Sequence, residues 1–231
     1  MKIESMNWSD VENYLKNNDK CILPVGSTEQ HAYLSLSTDN ILAEKISVDA
    51  AAPLNIPVFP VINYGHTPLF MAYPGTVSIS IETLSLLLKD ILNSLSTQGF
   101  KKILIVNGHG GNMPLEKHVN EWSAEHENVK VKFHNWWKAP KVWDFIQQTD
   151  PESSHASWME NFEWTRLKDV KLPDHKKPMV NFELLKNASP KEAREILEEG
   201  NYGGYFNKDD AILNELWDVA VGETRELLNE W

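Results

Sequence analysis

Two short stretches gather residues that can hold a cation and activate water. The first is Gly26-Ser27-Thr28-Glu29-Gln30-His31, with Thr38-Asp39 soon after. In extended chain, residues i and i+2 point to the same side, so Glu29 and His31 can face one ion or two adjacent ones. Asp39 can return to the same spot from the start of the next helix, although a helix N-cap is its plainer use. The second stretch is Asn107-Gly108-His109-Gly110-Gly111-Asn112. Its glycines let the backbone turn sharply around one imidazole, or simply make a tight turn before a helix. Glu, His, Asp and His together make a mixed nitrogen and oxygen set suited to Zn²⁺, Mn²⁺ or a similar divalent ion.

For that chemistry to converge, both stretches must leave the ends of neighbouring strands. Cys21-Ile22-Leu23-Pro24-Val25 reads as a buried strand ending at Gly26, with Pro24 placing it near an edge or end. Val58-Phe59-Pro60-Val61 reads as another, and Ile103-Leu104-Ile105-Val106 as one of the buried parallel kind. Val129, Val131 and Phe133 alternate with lysines and predict a half-exposed strand. Helices are predicted between them. One covers about residues 9–17, opened by a Ser9–Glu12 capping box, and one about 39–51 on Ile41, Leu42 and Ile46. The clearest starts at Ile81 on Leu84, Leu87, Leu88, Ile91, Leu92 and Leu95 and stops at Gly99. Asn112 is expected to cap the next, with Pro114 in its first turn and Leu115, Val119 and Trp122 inward. Late helices open at Ser189-Pro190-Lys191-Glu192 and cover about 208–229, while 135–180 reads as aromatic and irregular. This alternation predicts a single-domain α/β fold over 1–231, with a mainly parallel sheet flanked by helices on both faces. In open sheets of this kind, ligands bind outside the carboxyl ends of the strands.

Composition narrows what such a site belongs to. A chain of 231 residues buries roughly 70–75% of its unfolded surface, enough for a self-sufficient core. The 33 acidic against 22 basic residues argue against a nucleic-acid partner, which needs clustered Lys and Arg. No apolar run approaches the roughly 18 residues of a membrane span. The start, Met1 to Asn7, lacks an apolar signal core, so a soluble cytoplasmic protein with no membrane partner is expected. The single cysteine, Cys21, excludes an internal disulfide and a thiolate-only zinc site, and fits a reducing compartment. The glycine loop lacks the Gly-Lys-Ser/Thr ending of a nucleotide phosphate loop, and no Gly-x-Ser-x-Gly elbow occurs.

Leu23 through His31, Thr38-Asp39, Pro74-Gly75-Thr76 and Asn107 through Asn112, taken together, resemble the landmarks of the creatininase (creatinine amidohydrolase) family. A weaker landmark follows at His155-Ala156-Ser157-Trp158-Met159-Glu160, where the family has His-Ala-Gly with a Glu five residues after the His. The landmarks run in order over about residues 20–160. The resemblance implies a compact α/β fold that commonly assembles into hexamers, here a homo-oligomer. It also implies metal-dependent hydrolysis, mostly of C–N bonds in cyclic or linear amides. Position by position, it implies Glu29, His31, Asp39 and His109 as metal ligands, with Asp39 bridging two ions. Glu160 is the choice for the remaining ligand, with Glu152 and Glu163 as nearby acidic alternatives. Three departures stand against the family pattern. Creatininases proper have an acidic residue two places after the loop His, where this chain has Gly111. Ala32-Tyr33-Leu34 replaces Gly-x-His-Leu in a segment one residue shorter, and the glycine of His-Ala-Gly is Ser157. They point to an intact metal centre in an altered pocket, and away from creatinine itself.

Two divalent ions, Zn and/or Mn with Fe as a further candidate, would bring four positive charges against three from Glu29, Asp39 and Glu160. A bridging hydroxide would make the cluster neutral. The expected activity is hydrolysis of a small-molecule amide, creatinine-like, lactam or formamide, by that hydroxide. His155 would carry the proton to the departing nitrogen, its plainer role being to steady a ligand from behind. The alternatives are a dehydrogenated cyclitol or sugar-derived ring, a peptide, or a metal-binding assembly protein without catalysis. His66, His118, His126 and His134 read as structural or solvated. Trp136, Trp137, Trp143, Trp158 and Trp164 read equally as the wall of a planar substrate's pocket or as core and interface.

Overall fold

The computed structural model describes residues 1–231. Its sheet has three strands, β1 (Lys20–Val25), β2 (Lys102–Asn107) and β3 (Lys130–Asn135), all paired parallel in that order. Val25, Asn107 and Asn135 lie in register at the carboxyl edge, so the loops that follow start side by side. Side chains alternate between two buried faces. Ile22, Leu104 and Val106 pack against α2 (Thr38–Ala51), α5 (Pro140–Thr149) and α8 (Asp210–Asn229). Cys21, Leu23, Val25, Ile103 and Ile105 pack on the other side against α3 (Ile81–Gln98) and α4 (Leu115–Glu125), with α1 (Trp8–Leu15) at its rim. Burial on both faces explains why β1 and β2 are continuous apolar runs. No helix is long and apolar enough to cross a membrane.

Several expectations shift for identifiable reasons. The first helix is capped two residues upstream of Ser9: the Asn7 side chain accepts from Ser9 and Asp10, and Asp10 returns the bond. Residues 58–61 form no regular strand but isolated parallel bridges, Val58 to Ile22 and Ile62 to Val25. Pro24 has no N–H to donate toward this segment, whereas Ile22 and Gly26 on either side of it do donate, so the ladder is interrupted between the two bridges. Asn112 does not cap α4. It sits in a short 3₁₀ turn, Gly110–Asn112, and its amide donates to the Gly26 carbonyl at 2.9 Å, tying the two site loops together. The stretch read as irregular contains α5, whose N-cap position is an alanine. Its cap is tertiary: Glu223 of α8 accepts from the backbone N–H of Lys141 and Val142. Two further helices, α6 (Phe182–Leu185) and α7 (Pro190–Leu197), lie between the short antiparallel strands β4 (Lys176–Lys177) and β5 (Gly204–Tyr205). Together with Phe70 they make a small third core.

His134 is a structural histidine of β3 with a testable cost. Its Nε2–H donates to Thr224 Oγ1 at 3.0 Å, and the Thr224 hydroxyl donates onward to the Ala220 carbonyl. Burial pushes its pKa down to about 4. The unfolded chain protonates this imidazole near pH 6.5, so stability is lost as pH falls from there through about 4. The loss is about 3 kcal/mol by the lower end of that window. Replacing His134 by Gln is expected to flatten this part of the stability profile, measured by chemical unfolding at pH 7 and pH 4. Equal pH dependence in the two proteins would refute the assignment.

Candidate metal centre

The carboxyl edge of the sheet brings six of the expected residues into one cluster. Glu29 and His31 come from the loop after β1, Asp39 from the first turn of α2 and His109 from the loop after β2. His155 and Glu160 arrive from the chain after α5. The Asp39 carboxylate stands between two imidazoles, with Oδ1 3.0 Å from His31 Nε2 and Oδ2 3.0 Å from His109 Nδ1. Glu29 Oε2 lies 3.3 Å from His109 Nδ1, and Glu160 Oε2 lies 3.9 Å from His31 Nε2. Three triads result: Glu29–Asp39–His109 and His31–Asp39–Glu160, which share Asp39, and Glu29–His31–His155, which joins one acid and one imidazole of those two to His155. In each, the potential ligand atoms lie within 4.8 Å of one another.

The hydrogen bonds behind the rings decide what can lie between them. His109 Nε2 is 3.0 Å from the His66 carbonyl, which only accepts, so the proton is on Nε2 and Nδ1 offers a lone pair. His31 Nδ1 is 3.3 Å from the Glu29 carbonyl, which leaves its Nε2 as the lone pair. Both lone pairs therefore face carboxylate oxygens. Acceptors that face acceptors in a buried site are held together by a cation. Glu29 Oε1, His31 Nε2 and Asp39 Oδ2 are buried without hydrogen-bond partners, which is what a cation cradle requires. The donor set and its closeness fit a divalent ion in each of the two triads that share Asp39.

Without an ion, a second proton on each imidazole takes the cation's part, and the surrounding carboxylates favour it. Burial opposes charge on His31, but the Asp39 carboxylate, helped by Glu160 and Glu29, outweighs it and pushes the pKa up to about 10. Asp39, despite its burial, is held below the usual carboxylate range by His31 and His109. Burial pushes Glu160 up to about 7, and burial reinforced by His31 pushes His155 down to about 4.

His155 is oriented by a residue whose role sequence reading missed. The Gln30 amide is fixed by two backbone groups: its oxygen accepts from Ala32 N–H at 3.1 Å and its nitrogen donates to the Gly200 carbonyl at 2.9 Å. Its remaining N–H points at His155 Nε2, 2.9 Å away, so that nitrogen accepts and the proton is on Nδ1. His155 Nδ1 is 3.8 Å from Glu29 Oε1. Phe70 stacks on the ring at 4.8 Å between centroids. Gln30 lies inside the first motif, so its position was legible though its task was not. Phe70 had no local signal, because the small core of α6 and α7 holds it there.

The other candidates separate cleanly. Glu160 joins the cluster and its Oε2 accepts from Ala156 N–H at 2.6 Å, whereas Glu152 pairs with Lys176 and Glu163 is exposed. His118 pairs with Glu121, His126 stacks on Trp122, and the ring of His66 bonds the Ile79 carbonyl. A cleft of about 470 Å³ opens above the cluster, walled by Phe70, Trp137, Trp143, Phe182 and Tyr202. Of the five tryptophans, Trp137 and Trp143 line it, Trp136 and Trp158 are core, and Trp164 stacks on Phe162. The glycine at 111 has a packing reason: a Cβ there would meet the His66 carbonyl oxygen and lie 2.5 Å from His109 Nε2.

A family model described as creatinine amidohydrolase matches residues 4–228, and the chain belongs to the creatininase family, whose members are hydrolases. A mycofactocin precursor peptide peptidase of Mycolicibacterium smegmatis is 38% identical over 99 residues, which is 40% of this chain and 40% of that one. The creatinine amidohydrolase of Pseudomonas putida is 26% identical over 164 residues, 65% of this chain and 63% of that one. The chain thus matches less than two thirds of the length of these curated relatives. A solved creatininase carrying a tryptophan-to-phenylalanine change superposes with a TM-score of 0.85 at 20% identity, covering 99% of this chain and 98% of that one. Other solved creatininases on this fold include a manganese form and a zinc–zinc form.

Proposed function

We propose that this chain is a metal-dependent hydrolase that cleaves the C–N bond of an amide. Glu29, His31, Asp39, His109 and Glu160 would hold two divalent ions, Zn and/or Mn, at the floor of the cleft. The observation that carries this reading is the pair of buried triads sharing Asp39, with imidazole lone pairs facing carboxylates. The manganese and zinc–zinc forms of solved creatininases support the choice of ions. Such ions supply Lewis acidity toward a carbonyl and bring the pKa of water from 15.7 to about 7.

The protein's own groups do the rest. His155 is neutral, with its proton on Nδ1 and that tautomer fixed by Gln30. It would donate a hydrogen bond that orients the departing nitrogen, while the proton that nitrogen gains would be the one the attacking water loses. Phe70 and Tyr202 flank the imidazole and shield it from water. A small cyclic or linear amide is the leading substrate. An open-chain, peptide-like amide is the second reading, favoured by the cleft's volume of about 470 Å³ and its aromatic walls, and supported by the peptidase relative. Residues 1–231 would act as one hydrolase domain of a cytoplasmic homo-oligomer, the hexamer that family resemblance implies.

The test is metal analysis with turnover on a panel of lactams, formamides and N-acyl amino acids. The purified protein is expected to carry two divalent ions per chain, to lose activity on chelation and to regain it with Zn²⁺ or Mn²⁺. Changing His155 to Ala should lower turnover by about 10²–10⁴ while the ions stay bound. Metal-free protein whose turnover ignores chelators would sink the reading.

A further inference from the structure

One side chain at the mouth of the cleft is used by nothing in the centre. Lys138 is the only lysine or arginine that lines the cleft, where the other charged groups are the carboxylates and imidazoles of the floor. It is exposed and makes no ion pair. It lies in the short turn Trp136–Lys138, which leaves β3 at the same carboxyl edge that carries the two metal-binding loops.

The neighbouring acids that could neutralise it are committed elsewhere. α8 packs beside this turn. Its Glu223 carboxylate accepts from the backbone N–H of Lys141 and Val142, and its Glu226 pairs with the Lys141 ammonium at 2.5 Å. Helix chemistry does not account for the cation either. Lys138 stands just ahead of the N-terminus of α5, where the helix dipole disfavours positive charge. Trp137 precedes it and Trp143 follows one turn into α5, and both line the same cleft, with Trp143 42% exposed. An exposed ammonium on a cleft wall that also carries two indoles is suited to a ligand with an anionic head and an apolar body.

We propose that Lys138 forms an anion subsite, and that the amide cleaved here carries a carboxylate held by Lys138 while Trp137 and Trp143 take the adjoining apolar group. This rests on the hydrolase reading above and narrows its substrate class. With two ions on the floor, the three buried carboxylates are offset, so an anionic substrate meets no net repulsion on the way in.

The probe pair is N-acetyl-phenylalanyl-glycine and its C-terminal amide, titrated into the metal-loaded protein with binding read by calorimetry and by quenching of tryptophan fluorescence. The free acid is expected to bind wild type about tenfold more tightly than the amide, the scale of one charge-assisted hydrogen bond. In Lys138→Gln that advantage should collapse to about twofold, and in Lys138→Glu it should reverse. Equal affinities in wild type, binding of neither probe, or an acid preference that survives in Lys138→Gln would each overturn the subsite. The last outcome would assign carboxylate capture to the metal centre. Turnover of the same pair, run separately, keeps the two readings apart. Acid-selective binding without any cleavage across the panel counts against the hydrolase reading alone, and cleavage without acid preference counts against Lys138 alone.

Discussion

Asp39→Asn is expected to strip both ions from the centre and to reduce turnover by about 10³ or more, the scale seen when a charge-stabilising group is removed. Asp39 is the one residue common to the triad with His109 and the triad with Glu160, and its two oxygens serve different imidazoles. The Asn side chain keeps the shape but replaces one oxygen with an NH₂ donor. That donor can bond one imidazole lone pair directly, so one triad becomes satisfied without a cation. The variant should therefore remain folded, with thermal stability close to that of chelated wild type, while elemental analysis finds neither ion. Glu160→Gln supplies the contrast, because it touches only the triad with His31 and should release one ion and keep the other. Retention of both ions by Asp39→Asn, or loss of only one, would show that the two sites do not share this carboxylate.

The parts of this centre that sequence reading reached are those set by local chain geometry. Glu29 and His31 are two residues apart in extended chain, Asp39 opens a helix, and His109 leaves a strand of four branched apolar residues. Parallel pairing in register then brings the two strand ends together, which follows from the alternation of elements. What stayed hidden depends on partners distant in sequence. The lock on His155 needs Gln30, Ala32 and Gly200 at once, and the aromatic lid over it needs α6 and α7 to hold Phe70. Helix α5 was missed because its cap is Glu223, more than eighty residues away. The strand expected at Val58 is broken for a reason visible in the sequence, Pro24, which cannot donate to it.

Gly111→Glu restores the acidic residue that creatininases carry two places after the loop histidine, yet here it is expected to dismantle the centre. The glycine is needed for close approach rather than for an unusual backbone angle, since its φ is not positive. The carbonyl of His66 passes through the space where a Cβ would start, and that same carbonyl accepts the Nε2–H of His109. Any side chain at 111 must push the 65–66 backbone away, so it releases the bond that keeps Nδ1 of His109 turned toward Glu29 and Asp39. Overpacking of this kind costs about 1–3 kcal/mol in stability, and loss of an outer hydrogen bond to a ligating imidazole costs about 10–100-fold in metal affinity. Gly111→Ala carries the same Cβ without a carboxylate, so it separates the two explanations. If packing governs the position, Ala and Glu fall together in thermal midpoint, ion content and turnover. If a missing ligand governs it, Glu binds ions more tightly than wild type while Ala alone is impaired. The first pattern would mean that position 111 has no room for a carboxylate because the 65–66 backbone closes on the loop, with Glu160 as the acid that completes the second triad.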